Sequence, residues 1–253
     1  MIRLRIAAMF TACLFLTSGI AASAGNLNVS PISVILRESS ANNTVTLENR
    51  GDQEMRLEVT GFAWGETETG QMTLTPADEL VFYPTLLTIP AKQHRTIRVA
   101  LADAPPDPTE RTYRIFFEEL PSLTPVPSTN GESITFKTKI GIPIFLLPRK
   151  TVSADPDITD ARYANGAYHF SLVNRGDAHV LAQNITVLAH DTAGQPVFKK
   201  TLDAWYVLAK SSRTFDLPIT SAECSRVHNV SIVMHALGRP DTLRSFEQPS
   251  SCN

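Results

Sequence analysis

The chain is 253 residues long, with 43% apolar and 19% charged residues. This excludes a disordered chain, which combines low hydrophobicity with high net charge. A net charge of -2 excludes the positive field of a nucleic-acid binder, and 17 prolines against 12 glycines without a repeating period favour many short strands over long helices.

Residues 1–24 predict an export signal. Arg3 and Arg5 form a basic start, an apolar run extends from Ile6 to Ile20, and Ala22-Ser23-Ala24 is a small-residue cleavage site before Gly25. Thr11, Thr17, Ser18 and Gly19 interrupt the run, which is short for a membrane anchor. A lipid-attachment site at Cys13 fails because the apolar run continues past it. No later stretch is long and apolar enough for a spanning helix, so no membrane insertion of the mature chain is expected. Cleavage leaves two cysteines, Cys224 and Cys252. In an exported chain an even pair predicts a disulfide, here closing a loop of roughly 28 residues worth about 3 kcal/mol. A metal pair or two free thiols are the alternatives, but there is no CxxC spacing and no histidine cluster beside them.

Period-2 patterns then recur at short intervals. The predicted strands are Val29 to Leu36, interrupted by Pro31, then Asn43 to Asn49, Arg56 to Trp64, Leu80 to Leu87, His94 to Leu101, Thr112 to Leu120 and Glu132 to Leu147. Short strands at this spacing, without an amphipathic helix period, predict an all-β sandwich. The polar, proline-bearing stretch from Pro148 to Asp157 reads as a linker between a domain over 25–148 and another over 149–253. The second half repeats the texture at Tyr168 to Asn174, Ile185 to His190, Pro196 to Leu202, Arg213 to Leu217, Val227 to Ala236 and Thr242 to Phe246. Asn49-Arg50-Gly51-Asp52 recurs as Asn174-Arg175-Gly176-Asp177, each time after an alternating strand. The Arg-Gly-Asp triplets inside them are turn chemistry rather than an integrin signal.

Catalytic motifs are missing: no GxSxG, no P-loop, no HExxH, no GxGxxG after a strand. The six histidines are scattered and set no ligand spacing, so neither a metal nor another cofactor is expected. Glu118 and Glu119 are adjacent and point to opposite faces of a strand, unlike an acid/base pair.

The segment from Glu132 to Leu147 stands out by its length, roughly three times an ordinary strand. Ile134, Phe136, Thr138, Ile140 and Ile142 share one face, and Lys137, Lys139, Gly141 and Pro143 share the other. The apolar row either covers the domain's own core or extends beyond it and is offered to a partner. An apolar edge with no partner is an aggregation hazard.

On this strand, and on Ser30-Pro31, Asn49-Arg50-Gly51-Asp52, the Leu86 to Pro90 and Thr96 to Val99 stretches, Tyr113 to Pro121 and Asn174 to His179, the chain resembles the PapD-like periplasmic pilus chaperones. The Ser-Pro opening, the Tyr113-Arg114 strand and the Pro143-bearing long strand resemble the archaic, spore-coat-U-like branch. The resemblance implies two immunoglobulin-like sandwiches joined at an angle and a non-enzymatic role in the periplasm. The chaperone would lend its long strand to a pilus subunit lacking its last strand, and deliver the subunit to an outer-membrane usher. Ile134, Phe136, Thr138, Ile140 and Ile142 would fill the subunit's groove, helped by Val29, Ile32 and Val34 of the first strand unless that strand packs only within its own domain. Burying three or four such side chains is worth on the order of 5–10 kcal/mol before ordering costs. The better-studied branch anchors the subunit's C-terminal carboxylate with an Arg and a Lys. The matching positions here are Ser33 and Pro143, which carry no charge, so Arg114 and then Lys139 are the candidate anchors. The competing expectations are an exported structural or adhesive sandwich protein, which would bind a receptor or carbohydrate alone, and a metal-dependent enzyme on the sandwich.

Overall fold

The structure is a computed structural model that describes residues 26–37, 42–102, 107–121 and 137–247. The first half builds ten strands: β1 (Leu27–Ser30), β2 (Val34–Arg37), β3 (Asn42–Asn49), β4 (Met55–Glu66), β5 (Met72–Thr75), β6 (Leu80–Tyr83), β7 (Leu86–Ile89), β8 (His94–Leu101), β9 (Arg111–Glu119) and β10 (Lys139–Leu147). One sheet runs β1-β3-β8-β6. The other runs β2-β10-β9-β4-β5, with β7 also on β4. Alternate residues of both sheets, among them Val45, Leu47, Leu57, Ile97, Val99, Ile115, Phe117 and Ile144, close a buried core between them.

The second half adds β11 (Pro156–Ala164), β12 (Ala167–Asn174), β13 (Val180–His190), β14 (Pro196–Asp203), β15 (Tyr206–Val207), β16 (Ser212–Pro218), a one-turn helix α1 (Ser221–Cys224), β17 (Asn229–Ala236) and β18 (Thr242–Glu247). Sheets β11-β12-β16 and β14-β13-β17-β18 enclose a separate core around Phe170, Leu172, Ile185, Val187, Ile232 and Met234. Thr220 and Glu223 cap α1 reciprocally. Cys224 at its end is buried and disulfide-bonded; its expected partner, Cys252, lies outside the described residues, as do the signal segment 1–24 and the positions Ile134 and Phe136. No helix among the described residues is long and apolar enough to cross a membrane.

The predicted opening strand is two strands on different sheets. Proline has no N–H to give to a ladder, and the strand breaks at Pro31 after a cis Ser30–Pro31 peptide, so β1 pairs with β3 and β2 pairs with β10. Pro84 divides Leu80 to Leu87 into β6 and β7 in the same way. The linker is shorter than expected, because β11 already begins at Pro156.

The sequence echo is a structural echo. Asn49 is fully buried: its Nδ2 donates to the carbonyls of Gln53, Ile89 and Pro90, and its Oδ1 accepts from Gly51 N–H. Asn174 repeats the plan, donating to Ala178, Val207 and Leu208 and accepting from Gly176 and Asp155 N–H. In each sandwich one amide knits a turn to the neighbouring loop. A Cβ on Gly176 would run into the Ser153–Asp155 main chain, so this turn needs a glycine.

Candidate functional site

The long strand sits between β9 and β2, but the two neighbours do not cover the same length. Antiparallel pairing with β9 runs from Lys139↔Glu118 to Leu146↔Arg111. Parallel pairing with β2 begins only at Ile144↔Val34. The Glu119 N–H donates to the Thr138 carbonyl at 2.8 Å, continuing the β9 ladder by one residue. Hydrogen-bonded and non-bonded pairs alternate, so Ile140 and Ile142 turn their main-chain groups to β9 while Lys139, Gly141 and Pro143 turn theirs away. Between Lys139 and Pro143 that outward edge carries no strand among the described residues. It presents the N–H groups of Lys139 and Gly141 and stops being a donor at Pro143.

Side chains divide by face. Ile142 is 3% exposed, Ile144 is fully buried, and Ile140 packs on the same core. Ile140 and Ile142 are thus occupied by their own sandwich, and the expectation that they fill a partner's groove does not describe this state. Thr138, just before β10, is half-buried and lies beside Glu119. On the first strand, Val29 and Val34 are likewise core residues, whereas Ile32 is 78% exposed between β1 and β2. The structure brings Ile32 near the start of the β2–β10 pairing and buries Val29 and Val34 in the sandwich core.

The outward face of this sheet points at the second sandwich. It carries Phe62 and Trp64 of β4, Arg114 and Phe116 of β9, and Phe145 of β10. Gly141 lies opposite Phe116, and a Cβ there would sit 2.6 Å from the Phe116 ring, so glycine lets that ring lie over the strand. Trp64, Phe145 and Leu208 form a third buried cluster, with Trp205 and Tyr206 against it. Phe145 stacks on His179 at 3.7 Å. His179 Nδ1 lies 2.8 and 2.9 Å from the carboxylate oxygens of the buried Glu110, which also accepts from the His179 main-chain N–H. Sequence inspection singles out the Asn174 to His179 turn but not Glu110, which completes the joint 69 residues away.

Arg114 occupies the centre of this junction. It is 7% exposed. Its guanidinium carbon lies 5.1 Å from the Trp64 ring, 4.8 Å from Trp205 and 5.8 Å from Phe116. Nη2 donates to the Gly141 carbonyl at 3.0 Å, Nη1 reaches the Met72 sulfur at 3.7 Å, and Nε has no partner. Burial pulls its pKa down, and Tyr206 and Glu66 push it back up. Aromatic faces are attractive to a buried cation, but they leave most of its five N–H donors unspent. Lys139, the second candidate, is half-exposed, lies over Phe116 and is paired with Glu118 at 2.7 Å. An exposed pair of this kind is worth about 0–1 kcal/mol. Both cations flank the open edge. Only Arg114 lacks a carboxylate in contact and bonds the last outward carbonyl before Pro143. Ser33 and Pro143 contribute no charge, as their identity requires. No grouping of three or more His, Cys, Asp or Glu that could hold a metal occurs among the described residues.

Glu66, at the end of β4, is a second acid at the junction, in addition to Glu110. Burial pushes it up to about 7, against the pull of Arg213, a hydrogen bond from the Leu208 main chain, and Arg114. Raising an acid's pKa on folding means that the folded chain binds its proton more tightly. Stability from this group is therefore greatest below about 4.5, its ordinary value, and falls as pH rises toward 7. Glu48, Asp52, Glu118, Asp157, Asp177 and Glu223 are held below their ordinary values by hydrogen bonds, chiefly from side chains and for Glu223 first from the Thr220 main chain, and they act in the opposite sense at more acid pH. Glu66→Gln should raise the unfolding midpoint at pH 8 and lose that advantage toward pH 5. An equal offset at both pH values would show that Glu66 is not the titrating group.

The sequence matches the family described as pili and flagellar-assembly chaperone, PapD N-terminal domain, over residues 26–152, half of the chain. The chain belongs to this family. As a PapD-like chaperone it is not an enzyme. No curated protein sequence matches it. Solved structures of similar fold include the CsuC–CsuE chaperone–tip adhesion subunit pre-assembly complex from archaic chaperone-usher Csu pili of Acinetobacter baumannii (15% identity, 76% of this chain and 90% of that chain, TM-score 0.53). The Salmonella enterica SafA pilin in complex with the SafB chaperone (11% identity, 90% and 98%, TM-score 0.60) and the Pseudomonas aeruginosa CupB2 chaperone (11% identity, 87% and 98%, TM-score 0.53) are further examples. At these identities the likeness is one of fold: this PapD-like chaperone is all-β, with two immunoglobulin-like sandwiches.

Proposed function

We propose that this chaperone works in the periplasm, after cleavage between Ala24 and Gly25, and holds pilus subunits by donor-strand complementation until an outer-membrane usher receives them. Residues 25–148 would form the strand-lending domain and 149–253 the second domain, stapled by Cys224–Cys252. The observation that carries this proposal is the main-chain edge at Lys139–Pro143, which carries no strand among the described residues and ends beside Arg114, on the segment whose sequence also bears the apolar row from Ile134 to Ile142. A subunit strand laid along that edge in the direction of β10 would take main-chain bonds from Lys139 and Gly141. It would bring its C-terminal carboxylate to the under-used guanidinium, with Ile32 flanking.

Co-expression with pilus-subunit reading frames neighbouring its own tests this directly. The expected product is a one-to-one complex in which the subunit resists proteolysis. Arg114→Ala should weaken capture about tenfold, as loss of a charge-assisted bidentate contact does. A chaperone that co-purifies with none of these subunits, or an Arg114→Ala variant that holds them undiminished, would contradict the capture or the anchor respectively.

A further inference from the structure

Arg114 belongs to the first sandwich, yet the aromatic ring nearest its guanidinium carbon is Trp205 of the second, at 4.8 Å. Trp205 lies between β14 and β15. Its carbonyl is fixed by the Ala182 N–H at 3.1 Å, and its ring rests on Trp64 and Tyr206 at 5.3 Å each. An arginine side chain has four torsions, and among the described residues no carboxylate in salt-bridge contact sets them here, although the Glu66 charge acts on it from nearby. The Met72 sulfur is a weak acceptor, so the two indole faces, the more distant Phe116 ring and the Gly141 carbonyl define where the guanidinium points. Trp205 is half-buried, so the wall supplied by the second sandwich is also the wall next to solvent.

We infer that Trp205 is a positioning residue for the Arg114 anchor, so that recognition of the subunit's terminal carboxylate depends on the second sandwich being in place. This rests on the anchor role proposed above. The physical reason is geometric: a bidentate pair with a carboxylate requires the guanidinium plane to be presented in one orientation, and removing the nearest of its three aromatic walls lets that plane swing. A tryptophan that merely packs the junction would affect every mode of capture alike. A positioning tryptophan affects only the part that reads the carboxylate.

The test compares the subunit obtained by co-expression, carrying its natural C-terminal carboxylate, with the same subunit amidated at that end. The wild-type chaperone is expected to prefer the acid by about tenfold. Trp205→Ala should cut the preference to about twofold or less, while Trp205→Phe, which keeps an aromatic face, retains most of it. If the alanine variant does not fold, Trp205→Leu, which keeps bulk without a π face, is read in the same way. A wild-type preference that survives unchanged in Trp205→Ala or Trp205→Leu, whatever happens to overall affinity, overturns the inference. Absence of any preference in the wild type would instead overturn the anchor itself, so the two failures are told apart.

Discussion

Phe136→Asp should abolish subunit capture, with affinity falling at least about a hundredfold, while the unfolding midpoint stays within about 2 °C of the wild type. Ile142→Asp, on the same face of the same segment, should do the reverse and destabilise the first sandwich by more than about 4 kcal/mol. The contrast follows from where the row changes owner. Ile142 and Ile144 are sealed in the core between the two sheets, so a carboxylate at 142 has no water and no partner. Phe136 precedes the described part of this segment in sequence, and in the proposed complex its ring enters the subunit's groove. A charge there opposes burial in the partner, and the free chaperone should be unaffected. Co-purification and thermal unfolding of the two variants side by side read both effects. Normal capture by Phe136→Asp would remove it from the lent strand.

Asn174→Ala and Asn49→Ala should each cost about 3 kcal/mol, because each deletes a buried amide that serves several main-chain groups at once and leaves those groups dry and unpaired. Asn174 is tied to the Ala178, Val207 and Leu208 carbonyls, and Asn49 to those of Gln53, Ile89 and Pro90. The two cores are separate, so the effects should separate as well. In chemical denaturation Asn49→Ala should lower the transition of the first sandwich and Asn174→Ala that of the second. Asp at either position keeps the acceptor but loses the donor, and should be nearly as damaging. A loss below about 0.5 kcal/mol in both alanine variants, the scale of an ordinary surface change, would show that these turns are held by something else.

Much of the fold is legible in the sequence because alternation is a local signal. Asn43 to Asn49, His94 to Leu101 and Thr112 to Leu120 fall within a residue of β3, β8 and β9. What alternation cannot say is whose core a row faces. Ile134 to Ile142 has one parity throughout, yet Ile142 belongs to its own sandwich, a fact set by the sheet packed beneath it. Elements without alternation are invisible to it. β5 is exposed along its whole length, β15 has two residues, and β11 is broken by an irregularity between Thr159 and Arg162. Pro31 is visible as an interruption, but the move of the chain from one sheet to the other is not. The anchor is the least local feature. Arg114 is recognisable as a cation on the strand beside the long one, but Trp64, Met72, Gly141 and Trp205, which cage it, come from four separate segments. Glu66 owes its raised pKa to burial that only the assembled junction creates.

Amide hydrogen exchange on the chaperone, alone and with a captured subunit, tests the central proposal most directly. The outward N–H groups of Lys139 and Gly141 have no strand beside them among the described residues, and they, together with the amides around Phe136, should become strongly protected in the complex. Unchanged exchange along this stretch, with protection appearing instead on another edge such as β18, would contradict it.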